Sequence, residues 1–178
     1  MRHIALRLFT ALALAFGLLN GCAVMDHAPG AHLEAGARWA VVPFANATET
    51  PLAGQRAEAV SEALLRTLGV REVLRYPAEL SADSLFDNGA RKSEAAALDW
   101  ARGAGVRYVL TGTVDEWRYK VGVDGEPAVG VALHVIDLQD DRVVWSAVGA
   151  KSGWSRESLS GVGQKLIRSL LAPAIGPR

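Results

Sequence analysis

The 178 residues include one cysteine, four histidines and two methionines. That inventory excludes an internal disulfide and any Cys/His metal cluster. Charge of one sign is also missing, since 19 basic residues face 19 acidic ones. A nucleic-acid partner would call for a basic patch that this composition does not supply. After the first 21 residues no long apolar run recurs, so nothing downstream reads as a membrane-spanning helix.

What is present begins at the N-terminus. Arg2, His3 and Arg7 give a positive start, and residues 8–19 are apolar apart from Thr10 and Gly17. About twelve residues are too few to cross roughly 30 Å of hydrocarbon as a helix but suit a signal-peptide core. Leu19-Asn20-Gly21-Cys22 then looks like a bacterial lipobox, which predicts cleavage after Gly21 and acylation of Cys22. A diacylglyceryl group plus an amide-linked chain, palmitate among them, would make the anchor effectively permanent, because stable attachment needs two chains. Ala23 stands where an aspartate would retain a lipoprotein in the inner membrane, so outer-membrane sorting on the periplasmic face is expected. Cleavage removes Arg2 and Arg7 and leaves 17 basic against 19 acidic residues, a net of about −2.

The expected layout is a signal peptide over 1–21, a lipidated cysteine with a flexible tether over 22–37, one α/β domain over 38–172 and a short tail over 173–178. The tether carries Asp26, Pro29, Gly30 and Gly36 without periodicity. A buried strand follows from Arg38 to Phe44. Thr50 before Pro51 predicts a helix start, and Ala53, Ala57, Val60, Leu64 and Leu68 recur at helical spacing up to Gly69. Residues 70–76 read as a short strand, residues 78–92 as an irregular loop, and Ser93 as the cap of a second helix closed by Gly103 and Gly105. A long strand spans 106–123, and its alternation changes face near Gly112, which predicts a bulge there. Residues 129–138 are apolar on both faces, as in a central strand, and 142–150 form the last strand. A final helix over 155–171 buries Leu159, Val162, Leu166, Ile167 and Leu170. The order β-α-β-α-β-β-β-α predicts a mixed sheet with helices packed on it in a single domain.

Chemistry is sparse along this framework. His134 is the only histidine within the predicted domain and sits mid-strand, where a structural role is the common one. Gly153-Trp154-Ser155-Arg156-Glu157 lacks the second glycine of a nucleophile elbow, so Ser155 reads as a helix cap. Gly161-Val162-Gly163-Gln164-Lys165 lacks a phosphate loop's ending, and its glycines suit close helix packing. Asp137, Asp140 and Asp141 fit an acidic turn as well as a cation site. No catalytic residue, metal or cofactor is expected, and a hydrolase is the weakest functional class. Trp154 has two readings, a core-edge tryptophan or an exposed indole at a membrane interface.

Several segments resemble periplasmic lipoproteins related to the curli secretion channel subunit and the N-terminal domain of the Tol translocation protein. They are Trp39-Ala40-Val41-Val42-Pro43-Phe44 with Asn46, Tyr108-Val109-Leu110-Thr111-Gly112-Thr113-Val114, and the hairpin from Val135-Ile136-Asp137-Leu138 to Val143-Val144-Trp145-Ser146. Residues 119–130, Ser152-Gly153-Trp154-Ser155-Arg156-Glu157 and Pro51-Leu52-Ala53-Gly54-Gln55-Arg56-Ala57-Glu58 narrow the resemblance to the PelC family, the outer-membrane lipoproteins of Pel exopolysaccharide export, a biofilm polymer. That resemblance implies a ring of about twelve copies beneath a β-barrel porin, with an acidic funnel for a partly cationic polysaccharide. It further implies Asp124 as a lining residue and Trp154 as a contact to outer-membrane lipid; Glu126 joins Asp124 by its place in the same turn. Within the wider group two other roles stand open, an activator of a cell-wall synthase and a subunit of a curli-type pore.

Overall fold

A computed structural model describes residues 23–28, 32–77, 80, 90–122 and 125–175. Seven strands form one mixed sheet: β1 (Ala23–His27), β2 (Arg38–Val41), β3 (Ala45–Asn46), β4 (Glu72–Arg75), β5 (Tyr108–Tyr119), β6 (Pro127–Asp137) and β7 (Arg142–Ser152). Among the described residues three helices join them: α1 (Ala53–Thr67), α2 (Ala90–Gly103) and α3 (Leu159–Ile175). The strand order is β1-β7-β6-β5-β2-β4, with β3 beside β5. β2 lies parallel to β4 and β5, whereas β5, β6, β7 and β1 form an antiparallel run. The parallel part needs helical crossovers, which α1 and α2 supply. The expected single mixed-sheet α/β fold is therefore observed.

Alternation divides the core between the two faces of the sheet. Trp39, Val41, Leu110, Val114, Trp117, Val131, Leu133 and Trp145 meet Leu64, Leu65, Val162, Leu166 and Leu170 of α1 and α3. Ala40, Val42 and Val109 face the other way and pack with Ala97 and Ala101 of α2. Three fully buried tryptophans, Trp39, Trp117 and Trp145, fill the larger cluster. Gly163 lets α3 approach the sheet, since a Cβ there would stand 2.5 Å from Trp117 Cη2. This is the close packing expected of the helix glycines, at Gly163 alone: a Cβ on Gly161 would meet only Ser158 Oγ of its own turn. Glu58, on the buried side of α1, accepts the Phe44 amide at 3.0 Å and an Arg75 guanidinium at 3.3 Å, tying the chain beyond β2 to the helix.

The C-terminal ends of α1 and α2 follow one motif. Gly69 (φ 98°) and Gly105 (φ 68°) are left-handed, and the amides of Val70 and Val106 donate back to Leu65 and Ala101. These are Schellman closures, and glycine supplies the positive φ.

Other expectations need correction. The first strand stops at Val41, and two further residues return as β3. Thr50 does not cap α1: its hydroxyl donates to the Trp117 carbonyl at 2.7 Å, and left-handed Leu52 precedes the helix without a side-chain cap. Ser93 lies inside α2, which already begins at Ala90. The bulge in β5 falls between Val114 and Glu116, not at Gly112. A Cβ at Gly112 would sit 2.3 Å from the Ala132 carbonyl oxygen, so the neighbouring strand explains that glycine. Most of the loop read over 78–92 lies outside the described residues. The C-terminal helix begins at Leu159, not Ser155, and carries Pro173 within its last turn to Ile175.

The largest departure is at the N-terminus. The aperiodic segment read as a flexible tether opens with β1, antiparallel to β7 in the register Ala23↔Lys151 to His27↔Ala147. The chain then returns along the domain, with the Ala28 amide on the Ser146 carbonyl, the Leu33 amide on the Ala174 carbonyl, and Leu33 buried. β1 satisfies the outer ladder of β7, which a short edge strand can do with no buried face of its own.

Candidate functional site

The antiparallel run brings three chain segments to one end of the sheet. β5 ends at Tyr119 opposite Pro127, β7 ends at Ser152 opposite Ala128, and β1 starts at Ala23 opposite Lys151. The hairpin of residues 120–126, the turn of residues 153–158 and the residue after Cys22 therefore share a pole. Cys22 itself and Asp124 lie outside the described residues.

The hairpin is closed by the Lys120 amide donating to the Glu126 carbonyl at 2.7 Å, with Gly125 left-handed at φ 52°. Lys120 Nζ donates to Ser152 Oγ at 2.7 Å, pinning the hairpin to the end of β7. Glu126 is exposed, as is Val121, whose side chain has no described neighbour shielding it.

The second turn is built around Glu157. Its carboxylate accepts the Trp154 amide at 2.9 Å and an ion pair from Lys165, while its own amide donates to the Trp154 carbonyl at 2.8 Å. The hydrogen bond from Lys165, then that from the Trp154 amide, hold the Glu157 carboxyl below its ordinary pKa. The Gly153 amide donates to the Pro127 carbonyl at 2.8 Å. Ser158, not Ser155, caps α3: its hydroxyl accepts the Gly161 amide at 3.0 Å. Tyr119 adds a second cap, its hydroxyl accepting the Leu159 amide at 3.1 Å. The product of these bonds is a rigid turn that holds Trp154 outward, 59 % exposed.

The sequence singled out Trp154 and Glu126, and the fold brings them to the same pole. Val121 and Tyr119 were missed as features of that pole, although both are exposed there. Their alternation with Trp117 was legible, but not that β5 ends at Tyr119 and leaves Val121 beyond the sheet.

Other singled-out residues lie elsewhere. His134 is half-buried on β6 with Nδ1 3.0 Å from Ser146 Oγ across the strand pair, whereas Ser155 belongs to the polar turn, so the fold does not join them. Asp137 accepts from Arg107 at 3.3 Å and from the Gln139 amide at 2.9 Å. Asp140 and Asp141 face Arg142 and Arg102 at 3.5 and 2.7 Å. Among the described residues no three acidic, histidine or cysteine side chains gather to hold a metal ion. No described helix is long and apolar enough to cross a membrane.

This mixed α/β architecture is shared with lipoprotein GNA1162 from Neisseria meningitidis, at a TM-score of 0.52 and 20% identity over 72% of this chain and 91% of that one. Much nearer is a PelC dodecamer from Paraburkholderia phytofirmans, 42% identical over 88% of this chain and all of that one, with a TM-score of 0.74. A variant dodecamer from the same organism gives 41% identity over the same shares and a TM-score of 0.75. The chain belongs to the PelC family. No family model and no curated protein sequence matches it.

Proposed function

We propose that this protein is a non-catalytic outer-membrane lipoprotein of a Pel-type exopolysaccharide secretion complex. Lipidated at Cys22, it assembles into a periplasmic ring beneath a β-barrel porin and guides a cationic polysaccharide toward it. The observation that carries this reading is 42% identity to a PelC dodecamer over 88% of the chain. In this reading the pole bearing Trp154 rests on the inner surface of the outer membrane, with the indole at the headgroup level. Asp124 and Glu126, in the hairpin at the same pole, line the mouth of the ring. One solvated carboxylate at a hairpin tip does little. A dozen facing one lumen sum into a field that attracts a positive chain without holding it tightly, and salt weakens that field over about 8 Å.

The start of β1 one residue after Cys22 also supports this role over that of a cell-wall synthase activator, which would need a long reach from the membrane.

Two measurements test the proposal. The detergent-solubilised particle should have the mass of a closed ring, and Cys22→Ser should abolish membrane fractionation. An Asp124→Asn, Glu126→Gln double variant should lower polysaccharide secretion while leaving lipidation and particle mass unchanged. Normal secretion from that variant removes the funnel assignment, and wild-type protein found soluble removes the lipoprotein reading.

A further inference from the structure

A ring built from one kind of subunit joins two different surfaces of each copy, and with twelve copies those surfaces are rotated by only about 30° from directly opposite. In this fold two such surfaces lie on opposite sides of the sheet. One is the outer side of the helix layer, where α1 and α3 leave a groove of about 310 Å³ lined by Ala59, Val60, Ala63, Leu64, Thr67, Gln164 and Arg168. The other is the far face of β6, β7 and β1. There the alternation that buries Trp145 and Ala147 turns Val148 outward, opposite Ala132, with Val24 opposite Ala150 and Val143 opposite Ile136. Val24, Val143 and Val148 are 70 %, 56 % and 49 % exposed, and the cluster around α2 takes in Ala40 of β2, Val109 of β5 and Ile136 of β6 but no described residue of β7 or β1.

Charge complements shape. Arg168, at the rim of the groove, donates to Thr67 Oγ1 at 3.2 Å and has no carboxylate partner among the described residues. Asp26 stands on the open face beside Val148 in the register, also without an ion-pair partner there. The sheet edges are poorer contacts: β1 and β4 have five and four residues and carry Asp26, His27, Glu72 and Arg75. Short charged edge strands resist strand addition.

We propose that neighbouring copies join by this heterologous contact, the open β6-β7-β1 face of one seated on the α1/α3 groove of the next, with Val148 entering the groove and Asp26 meeting Arg168. The inference rests on the ring reading above. The test uses the full lipidated chain, in which Cys22 carries lipid and contributes no free thiol. Ala63→Cys and Val148→Cys are introduced singly and together at exposed positions, where folding is checked by circular dichroism. Mild oxidation should give a covalent ladder from the double variant and none from either single one. Charge exchange supplies an independent arm: Arg168→Glu and Asp26→Arg should each reduce the ring fraction several-fold, and the pair together should restore it. Disulfide dimers from Val148→Cys alone, or a ring of full mass with neither ladder nor charge rescue, would overturn this contact while leaving the ring intact. A monomeric wild-type particle would overturn the ring reading and this contact with it.

Discussion

Gly153 is the position where the architecture of the pole is most open to a direct test. A Cβ added there would stand 2.5 Å from Val162 Cγ2, 2.6 Å from Glu157 Oε2 and 3.0 Å from Pro127 Cγ. Ordinary carbon contacts are about 3.5–4.0 Å, so one side has to move by roughly an ångström. None of the three neighbours yields easily. Val162 is a stiff β-branched residue in the first turns of α3, Pro127 is a ring at the start of β6, and Glu157 is held by Lys165 and by the Trp154 amide. Overpacking of this kind costs about 1–3 kcal/mol. Part is offset because alanine restricts the unfolded chain, worth about 0.4–1 kcal/mol. The net, from near zero to a loss of roughly 2.5 kcal/mol, lowers the melting midpoint of a domain this size by up to about 10 °C.

Gly103→Ala is the matched control, with no atom within 4 Å of the added Cβ and the same gain in the unfolded state. Trp154→Ala is the second control, a surface change expected to stay within about 0.5 kcal/mol. Thermal melts followed by far-ultraviolet circular dichroism should therefore place Gly153→Ala below Gly103→Ala by the full overpacking cost, with Trp154→Ala close to wild type. If Gly153→Ala melts together with Gly103→Ala, the turn has slack and Trp154 is not held by it. If Trp154→Ala unfolds the domain, the indole is a core residue after all.

Two further perturbations probe the same helix layer. Ser61 is fully buried on α1 and its hydroxyl has no hydrogen-bond partner among the described residues. Ser61→Ala should raise stability by about 1 kcal/mol, since it removes a desolvated hydroxyl and improves helix propensity, and a lower urea midpoint would refute that reading. Glu157, with its folded pKa held below the ordinary glutamate value, contributes stability that is present above that ordinary value and is lost as pH falls through the folded pKa. Glu157→Gln should therefore be less stable than wild type at pH 7, and the difference should close in acid; a gap unchanged from pH 7 to pH 3 would count against the Lys165–Glu157 pair.

The long strands and both core faces were legible because their residues alternate around large apolar side chains. Gly112 and Thr50 show where that legibility stops. The slip in alternation along β5 was real, but a glycine relieves two different constraints, φ and the absence of a Cβ. At Gly112 the second one governs, because the Ala132 carbonyl lies against it. Thr50-Pro51 has the local chemistry of a helix start, yet the hydroxyl is taken by a carbonyl 67 residues away. Ser155 reads as the cap for a similar reason, since Trp154 and Glu157 close a turn before the helix that no spacing rule announces.

β1 could not be read at all, and the reason bears on how the protein would sit on its membrane. Its five residues are all exposed, so no periodic burial marks them. The instruction lies in β7, whose outer ladder needs a partner. A free tether of fifteen residues would leave the domain roughly 20 Å from its anchor, in any orientation. With β1 in place, Cys22 is joined directly to Ala23, whose partner Lys151 is three residues from Trp154. Consecutive Cα atoms are only about 3.8 Å apart. A lipid on Cys22 would therefore hold the same pole from which Trp154 and Val121 project. Such an anchor would fix orientation as well as location, and an indole already at the surface would have no conformational search to make before meeting headgroups.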